Sequence, residues 1–274
     1  MKNILVGYDN SRWALVALEQ AIGLASGLHA RLHLLQAVEP AGPAAEVADV
    51  APSEDPLSYM DRMDAMMTED DTPSLHDEDL SAAARMCEEA GVHCVQHRQS
   101  GLAVRVLREY SPAMDLVVLG RRGTVGRRLV GSTASSVISR PIVPTLLCRD
   151  EQVAWRRLLL VFENSVTGGR AVKVAGTLAS ELNLGLDVVI ADSDRERGRR
   201  VGEQAKMALR AYHVEGEFIH HEGRIVEALQ SAALQLQSSV VIVPQGRTCP
   251  WPWSRAEAVR AAIEFPTALA LVVP

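Results

Sequence analysis

A glycine-rich segment at residues 120–136, GRRGTVGRRLVGSTASS, contains residue types that suit the binding of an anion. Glycine has no Cβ, so the backbone N–H groups around it can approach a phosphate closely. Successive amides and the positive end of a following helix would form a cradle, to which the serine and threonine hydroxyls add donors. The pattern indicates phosphate binding, although glycines also mark turns that only need a positive φ.

The elements around this segment must place it at the end of a strand. The apolar run LVVL precedes Gly120, and the sequence GST from Gly131 marks the start of a helix. At the beginning of the chain, an apolar strand leads into Asp9 and then into an amphipathic helix that ends near Gly27. Ligands of parallel sheets bind at the carboxyl ends of strands where the winding direction reverses. We therefore expect Asp9 and the Gly120 turn to meet in one crevice.

The same order of elements occurs twice along the chain. The opening KNILVGYDNS matches RRLLLVFENS in the second half, so that Asp9 corresponds to Glu163, and IVPTLLC matches EFPTALALVV. Self-similarity over half the chain indicates a tandem duplication. The sequence predicts an α/β fold of two tandem doubly wound domains, residues 1–150 and 151–274. Each is expected to be an open five-stranded parallel sheet with helices on both faces.

An acidic segment at about residues 39–79 is present only in the first half. It carries four methionines at near-helical spacing, Met60, Met63, Met66 and Met67. A connection of this length is typically a functional lid or arm. Two interpretations stay open: a solvated loop whose methionines cover the core of their own domain, or a helix that binds a partner or covers a dimer, since methionine-rich faces are adaptable.

Composition limits the classes of partner. The 274 residues are 47% hydrophobic and 23% charged, which is typical of a globular protein with a sizeable core. A net charge of −6 argues against general binding to nucleic acid or to an anionic membrane. Because no apolar stretch is long enough to span a bilayer, a cytoplasmic location is expected. The four cysteines form no C-x-x-C pair and are predicted to be mostly buried free thiols.

Four sequence landmarks taken together resemble the universal stress protein family: ILVGYDNS, DLVVLGRRG, GSTASSVISR and PTLLC. The resemblance extends over both halves apart from the acidic segment. It implies an α/β fold that binds ATP or a related adenine nucleotide, with or without Mg²⁺. It also implies a stress-response sensor or regulator whose nucleotide occupancy is read by a protein partner that no sequence feature identifies.

The resemblance also implies which residues would form the nucleotide site. Asp9 matches the carboxylate that holds the ribose hydroxyls, and Val38 matches the position whose backbone meets adenine. The remaining positions would surround the phosphates: Gly120 and Gly123 at the β- and γ-phosphates, and Gly131, Ser132 and Thr133 as the rest of the cradle.

This chain departs from the family pattern in the length of the phosphate loop. The nucleotide-binding branch has nine residues between G-x-x-G and the following G-S or G-T, whereas here only seven, Thr124 to Val130, separate Gly123 from Gly131. The shorter loop leaves two possibilities, a different grip on the phosphates or none. Arg121 and Arg122 would compensate by pairing with phosphate oxygens. The alternative for these arginines is a solvated position or pairing with neighbouring acids.

The second half lacks the glycine cradle. Pro244 stands in place of Gly120 and has no N–H to offer a phosphate, and Trp251 and Trp253 follow in the turn. Glu163 keeps a carboxylate, one methylene longer than Asp9. The second half is therefore predicted to be a degenerate copy that has lost nucleotide binding and forms an intramolecular pseudo-dimer with the first. A homodimer of whole chains is a further possibility.

Catalytic and metal-binding motifs are missing from the sequence. It has no G-x-S-x-G, Walker or H-E-x-x-H pattern, so no catalytic residue is predicted, and slow ATP hydrolysis is kept as an alternative to binding alone. A structural or interaction module acting through the acidic methionine-rich segment is the other alternative. His33 could approach His93 on a neighbouring strand and form a zinc site with Cys94. Strand histidines more often make hydrogen bonds, so no metal site is predicted.

Overall fold

The computed structural model describes residues 1–38, 77–122, 130–192, 194–214, 216–222, 225–245, 255–264 and 268–274. Strands and helices alternate along these ranges. The strands are β1 (Asn3–Gly7), β2 (Arg31–Val38), β3 (Cys94–Ser100), β4 (Leu116–Gly120), β5 (Thr145–Cys148), β6 (Arg157–Val161), β7 (Gly185–Ala191), β8 (Phe218–His221), β9 (Val240–Pro244) and β10 (Leu269–Val273).

The helices of the described ranges follow the same alternation. They are α1 (Arg12–Leu28), α2 (Asp77–Glu89), α3 (Ala103–Tyr110), α4 (Ser132–Ser139), α5 (Val166–Leu182), α6 (Arg195–Leu209), α7 (Ile225–Gln235) and α8 (Arg255–Glu264), with short 3₁₀ turns at Ser111–Ala113 and Arg210–Tyr212. None of these helices has both the length and the apolar character needed to cross a membrane. The methionines of the acidic segment lie outside the described residues.

All the strands belong to one sheet, in the order β3-β2-β1-β4-β5-β10-β9-β6-β7-β8. Strands β1–β5 are parallel to one another, and so are β6–β10. The two sets join where β5 pairs antiparallel with β10, with Leu146 opposite Leu271. The carboxyl ends of β1–β5 therefore point to one side of the molecule, and the carboxyl ends of β6–β10 point to the opposite side. The side at which the strands of a set end is called the carboxyl edge of that set below.

Helices cover both faces of this sheet. Helices α1, α2, α5 and α6 pack against one face around Ile4, Leu34 and Leu160. Helices α3, α4, α7 and α8 pack against the other face around Leu5 and Val241. Continuous runs of buried Val, Leu and Ile, as in β4 and β9, are what strands covered on both faces require. The predicted α/β fold class is confirmed, and the two predicted sheets are continuous through β5 and β10.

Each parallel set begins with the same capped helix. The Ser11 hydroxyl accepts a hydrogen bond from the Ala14 N–H at 3.1 Å and begins α1. The Ser165 hydroxyl accepts from the Gly168 N–H at 3.0 Å and begins α5. An N-terminal serine satisfies one of the helix N–H groups that has no partner within the helix. The two caps follow Asp9 and Glu163, the two positions matched in the sequence.

The segment between β5 and β6, where the sequence predicts the domain boundary, is fixed to α1. The buried Gln20 side chain donates to the Val153 carbonyl at 3.1 Å and accepts from the Trp155 indole N–H at 3.0 Å. Both polar ends of a buried amide are thus satisfied by this segment. The division at residue 150 itself stays a prediction.

One buried carboxylate, Asp187 in β7, connects β7 to β6 and to the residue that precedes β8. It accepts two hydrogen bonds from the Arg157 guanidinium, one of them at 2.8 Å, and one from the Glu217 N–H at 2.8 Å. Asp187 is fully buried, whereas the Arg157 side chain is 37% exposed. The bonds to Asp187 raise the pKa of Arg157.

We expect Asp187→Asn to lower the free energy of unfolding by about 2 kcal/mol, because hydrogen bonds to a charged group are lost at a buried position. Urea unfolding monitored by circular dichroism measures the change. The matched control is Glu203→Gln, which removes an exposed ion pair with Lys206 and is expected to leave the midpoint almost unchanged. Equal urea midpoints for the two variants would contradict the stabilising role of the Asp187 carboxylate.

Candidate functional site

The carboxyl ends of β1 and β4 lie side by side in the first parallel set. Ile4 pairs with Leu116 and Val6 with Val118, so the residues after both strands emerge at the same edge. From this point β2 and β3 continue to one side and β5 to the other. The winding direction of the sheet reverses here, which is where ligands of such sheets bind. Asp9 and Gly120 are brought to this one edge, as their sequence positions predict.

Asp9 occupies a tight turn between β1 and α1. The Ser11 N–H donates to Asp9 Oδ1 at 3.1 Å, and Asn10 adopts a left-handed conformation with φ of 56°. Asp9 is exposed. The turn holds the carboxylate beside the start of α1. A carboxylate in this position can accept hydrogen bonds from hydroxyl groups of a ligand.

Gly120 allows the end of β4 to contact the start of α1. A Cβ at this position would lie 2.7 Å from both the carbonyl carbon and the carbonyl oxygen of Trp13. Such a contact is too close for any side chain, so the backbone packing alone requires glycine here. The first glycine of the motif therefore has a structural role whether or not a phosphate binds.

Arg121 makes a contact that the sequence did not indicate. It is 9% exposed, and its guanidinium donates a hydrogen bond to the carbonyl of Ile263 near the end of α8. Burial and the nearby charge of Arg149 lower the pKa of Arg121. The last carbonyls of a helix lack intrahelical partners and carry partial negative charge, which suits a guanidinium. In this arrangement Arg121 is engaged with the second parallel set.

Arg122 lies on the other side of the turn, next to an indole that the sequence did not single out. The guanidinium carbons of Arg122 and Arg12 lie 5.8 and 5.2 Å from the centre of the Trp13 ring, distances suited to cation–π contact. Within the described ranges, Arg122 Nε and Trp13 Nε1 are buried and have no hydrogen-bond partner. In the sequence, Trp13 is marked only by its position in the first turn of α1, after the capping Ser11 and Arg12.

The far end of the glycine-rich turn leads into α4. The Gly131 N–H donates to the Arg121 carbonyl at 2.9 Å, which closes the turn at its base. Ser132 and Thr133 are the first two residues of α4, so their N–H groups have no acceptor within the helix. Gly123, the second glycine of the motif, lies outside the described residues. Gly131 thus contributes to turn closure, while the helix start offers donors.

Val38 ends β2 at the same edge. Its carbonyl accepts a hydrogen bond from the Gly101 N–H at 3.0 Å, and Val38 pairs with Ser100 of β3. Gly101 has φ of 139°, a conformation that favours glycine. The position assigned to adenine contact is therefore held rigidly, although its carbonyl oxygen already has one partner.

The corresponding edge of the second set is occupied by its own side chains. Glu163 is 2% exposed, and its Oε1 accepts from the Ser165 hydroxyl at 2.7 Å and the Thr167 hydroxyl at 3.3 Å. Asp192, after β7, accepts from the Arg197 guanidinium at 2.6 and 2.8 Å. Burial by itself raises the pKa of Asp192, but the hydrogen bonds from Arg197 and from the Asp194 N–H, together with the charge of Arg197, lower it overall. Glu163 and Asp192 are buried and serve internal bonds, whereas Asp9 is exposed.

His33 and His97 form a pair between β2 and β3. Their Nδ1 and Nε2 atoms are 2.9 Å apart, His33 Nε2 lies 3.4 Å from Asn3 Oδ1, and His97 packs edge-on against Tyr110. In the part of the chain that the structure describes, no three His, Cys, Asp or Glu side chains come together as metal ligands. The histidines and Cys94 considered together in the sequence do not converge on one point.

The comparisons with known proteins identify the family. The model of the universal stress protein family matches residues 1–149. The chain belongs to this family, and the resemblance seen in its sequence landmarks is confirmed. No curated protein matches the chain.

Solved structures extend the likeness to the whole chain. A universal stress protein from Archaeoglobus fulgidus DSM 4304 matches with a TM-score of 0.72 and 18% identity, over 99% of this chain and 97% of that one. A functionally unknown protein from Pseudomonas aeruginosa PAO1 matches with a TM-score of 0.62 and 14% identity, over 100% and 92% of the two chains. At these identities the likeness shows the fold, which these proteins share over nearly their full length.

We expect Gly120→Ala to destabilise the protein by about 2 kcal/mol, because a Cβ there overlaps the backbone of Trp13. The control is Gly169→Ala in α5, where an added Cβ meets no atom within 4 Å among the described residues. Alanine has the higher helix propensity, so that control should be neutral or slightly stabilising. Thermal unfolding of both variants measures the difference, and a Gly120→Ala variant as stable as Gly169→Ala would contradict the packing role.

The histidine pair makes stability depend on pH. Burial, and then the charge of His97, lowers the pKa of His33, and burial lowers the pKa of His97. The unfolded chain thus binds protons more readily than the folded protein. The contribution of the pair to the free energy of unfolding is fully present above the unfolded-state pKa of about 6.5. It is lost as the pH falls toward the lowered pKa values of the folded protein.

We therefore expect the wild-type protein to lose more stability between about pH 7.5 and about pH 5.5 than the double variant His33→Gln/His97→Gln. Urea unfolding at both pH values measures the loss of stability in each protein. The two proteins share the same carboxylates, so the effect of the carboxylates on the pH dependence cancels in the comparison. An equal loss in the two proteins would show that the pair does not titrate as described.

Proposed function

We propose that this universal stress protein binds ATP or a related adenine nucleotide at the carboxyl edge of β1 and β4 and acts as a nucleotide-dependent stress sensor. The observation that carries the proposal is that Asp9 and Gly120 follow neighbouring strands at the reversal point of the sheet, where α4 begins after Gly131. A carboxylate and a helix N-terminus at one edge offer complementary contacts, an acceptor for ribose hydroxyls and donors for phosphates.

The local geometry supports separate roles along the site. Exposed Asp9 would bind the ribose, and the rigid end of β2 at Val38 would contact adenine. The N–H groups of Ser132 and Thr133 would bind phosphate oxygens, with Gly123 completing the loop. Because Arg121 is bonded to Ile263, Arg122 is the better candidate for pairing with a phosphate. Its Nε has no partner within the described ranges, and an arginine fork matches phosphate geometry.

We infer that the protein binds nucleotide rather than turning it over rapidly. Efficient phosphoryl transfer needs a metal carboxylate together with a residue that positions the nucleophile. Asp9 is the one acid among the residues assigned to the site. Slow hydrolysis, a cytoplasmic location, a protein partner that reads occupancy, and association of two chains belong to the same proposal.

Isothermal titration calorimetry with ATP, run with and without magnesium, tests the proposal. We expect one site in the wild-type protein, and weakening by about tenfold or more in Asp9→Asn, because hydrogen bonds to a charged acceptor are lost. The matched control is Glu163→Gln, since Glu163 is buried in the second set and bonded internally. It should bind ATP as the wild type does.

Two results would count against the proposal. If ATP produces no heat with the nucleotide-free wild-type protein, the proposed site does not bind nucleotide. That result would favour an interaction module acting through the acidic segment. An equal loss in Asp9→Asn and Glu163→Gln would place the binding elsewhere or attribute it to stability.

A further inference from the structure

Trp13 lies in the first turn of α1 and packs against the end of β4. A Cβ at Gly120 would lie 3.0 Å from the Trp13 Cβ and 2.7 Å from its carbonyl oxygen. The Ser11 hydroxyl accepts from the Ala14 N–H at 3.1 Å and fixes the start of this helix. Trp13 is therefore held directly beside the first residue of the glycine-rich turn, where a side chain can contact a ligand of that turn.

Two guanidinium groups border the Trp13 ring and form with it a tryptophan–arginine cluster of Arg12, Trp13 and Arg122. The guanidinium carbons of Arg12 and Arg122 lie 5.2 and 5.8 Å from the centre of the ring. Cation–π contact holds these side chains against the ring, but an indole has no net charge and does not neutralise them. Arg12 is exposed and Arg122 is half-buried. The positive charge of the cluster therefore favours an anion.

Two donors of the tryptophan–arginine cluster lack an acceptor. Among the residues that the structure describes, Trp13 Nε1 and Arg122 Nε are covered from solvent and have no hydrogen-bond partner. Both groups can only donate. A covered donor without a partner costs free energy, whereas a hydrogen bond to a charged acceptor is stronger than one between neutral groups. The cluster therefore suits an anionic oxygen as the acceptor for the indole and the guanidinium.

Helices α1 and α4 pack on opposite faces of β4. Val118 belongs to the core beneath α1. Leu119, the next residue, packs with Ala134 of α4 in the core of the other face. This difference follows from the strand itself, because successive side chains of a strand point to opposite faces.

The residues that follow β4 continue this alternation. Arg121 donates to the Ile263 carbonyl in α8, which packs on the same face as α4. Arg122 contacts Trp13 on the face of α1. The tryptophan–arginine cluster and the N–H groups at the start of α4 therefore approach the end of β4 from its two faces.

This placement limits what one phosphate group can contact. A single phosphate is too small to reach donors on both faces of a strand, whereas a chain of two or three phosphates can cross the end of the strand. The start of α4 offers several converging N–H groups and the positive end of a helix, so a single phosphate is expected to bind there. Further phosphates then extend to the tryptophan–arginine cluster.

We propose that Trp13 and Arg122 bind the additional phosphates of adenosine di- and triphosphates, and that the site selects these nucleotides over adenosine monophosphate. This selectivity rests on the proposed function, in which Asp9 binds the ribose and the start of α4 binds a phosphate. The Trp13 indole and the Arg122 guanidinium donate to phosphate oxygens, and Arg12 adds positive charge beside them. Each further phosphate brings negative charge to the cluster, which raises the affinity.

The chain offers a matched control for each of these two residues. The Trp155 indole N–H donates to Gln20 Oε1 at 3.0 Å, so this donor already has its acceptor away from the site. The Arg170 guanidinium donates to the Pro274 carbonyl at 3.3 Å in the second set. Trp155→Phe and Arg170→Gln therefore repeat the chemical changes at positions without a role in the proposed site.

Isothermal titration calorimetry of the nucleotide-free full chain with ATP, ADP and AMP gives the first test. We expect the wild-type protein to bind ATP at least about tenfold more tightly than AMP. Trp13→Phe keeps an aromatic ring and removes the donor, so it should weaken ATP binding by about tenfold and AMP binding by less than about twofold. Arg122→Gln should weaken ATP binding at least as much, because a charged donor is lost. The two control variants should retain wild-type affinities.

Nuclear magnetic resonance of ¹⁵N-labelled protein detects the hydrogen bond itself. The indole N–H signal of Trp13 is identified by its absence from Trp13→Phe. Saturating ATP should move the proton signal downfield, because a donor without a partner gains an anionic acceptor. Saturating AMP should move it less, and the Trp155 signal should stay in place with both nucleotides. This measurement is made on the wild-type protein, so it does not depend on the stability of the Arg122 variant.

Three results would overturn the role of Trp13 and Arg122 and leave the proposed function standing. They are equal affinity of the wild-type protein for ATP and AMP, equal weakening of both nucleotides in Trp13→Phe, and a Trp13 indole signal that ATP does not move. Absence of binding with all three nucleotides has a different meaning, since it would refute the proposed nucleotide site together with its selectivity.

Discussion

The antiparallel pairing of β5 with β10 is the constraint on which the arrangement of this protein depends. It turns two parallel sets into one sheet, and it makes their strands run in opposite directions. The end of the last helix of each set consequently lies beside the fourth strand of the other. Arg121, directly after β4, donates to Ile263 in α8, and Gln245, directly after β9, donates to Ser139 in α4 at 2.6 Å. These two bonds are related as equivalent contacts across a two-fold interface are.

This pairing also affects the candidate nucleotide edge. A guanidinium that would otherwise be available to a phosphate is used to join the two sets, and the Gly131 N–H is used to close the turn. The described groups that the proposal assigns to a ligand are the carboxylate of Asp9, the start of α4 and Arg122. In the second set, Gln245 replaces the arginine, Pro244 replaces the glycine, and Glu163 is bonded to Ser165. In both sets, the residue after the fourth strand thus bonds to the last helix of the other set, through Arg121 and Gln245. The glycine and the exposed carboxylate, Gly120 and Asp9, occur only in the first set.

Much of this could be predicted from local sequence. Buried strands produce uninterrupted Val, Leu and Ile, helix caps select Ser11 and Ser165, and the reversal point of a doubly wound sheet follows from the order of its elements. The position of Asp9 beside the Gly120 turn required no more than these rules. The partner of Arg121 could not be found in this way, because Ile263 is 142 positions away and is recognised through a backbone carbonyl common to every residue. Trp13 was missed for a similar reason, because its place directly after Ser11 and Arg12 does not by itself reveal the contact of its ring with Arg122.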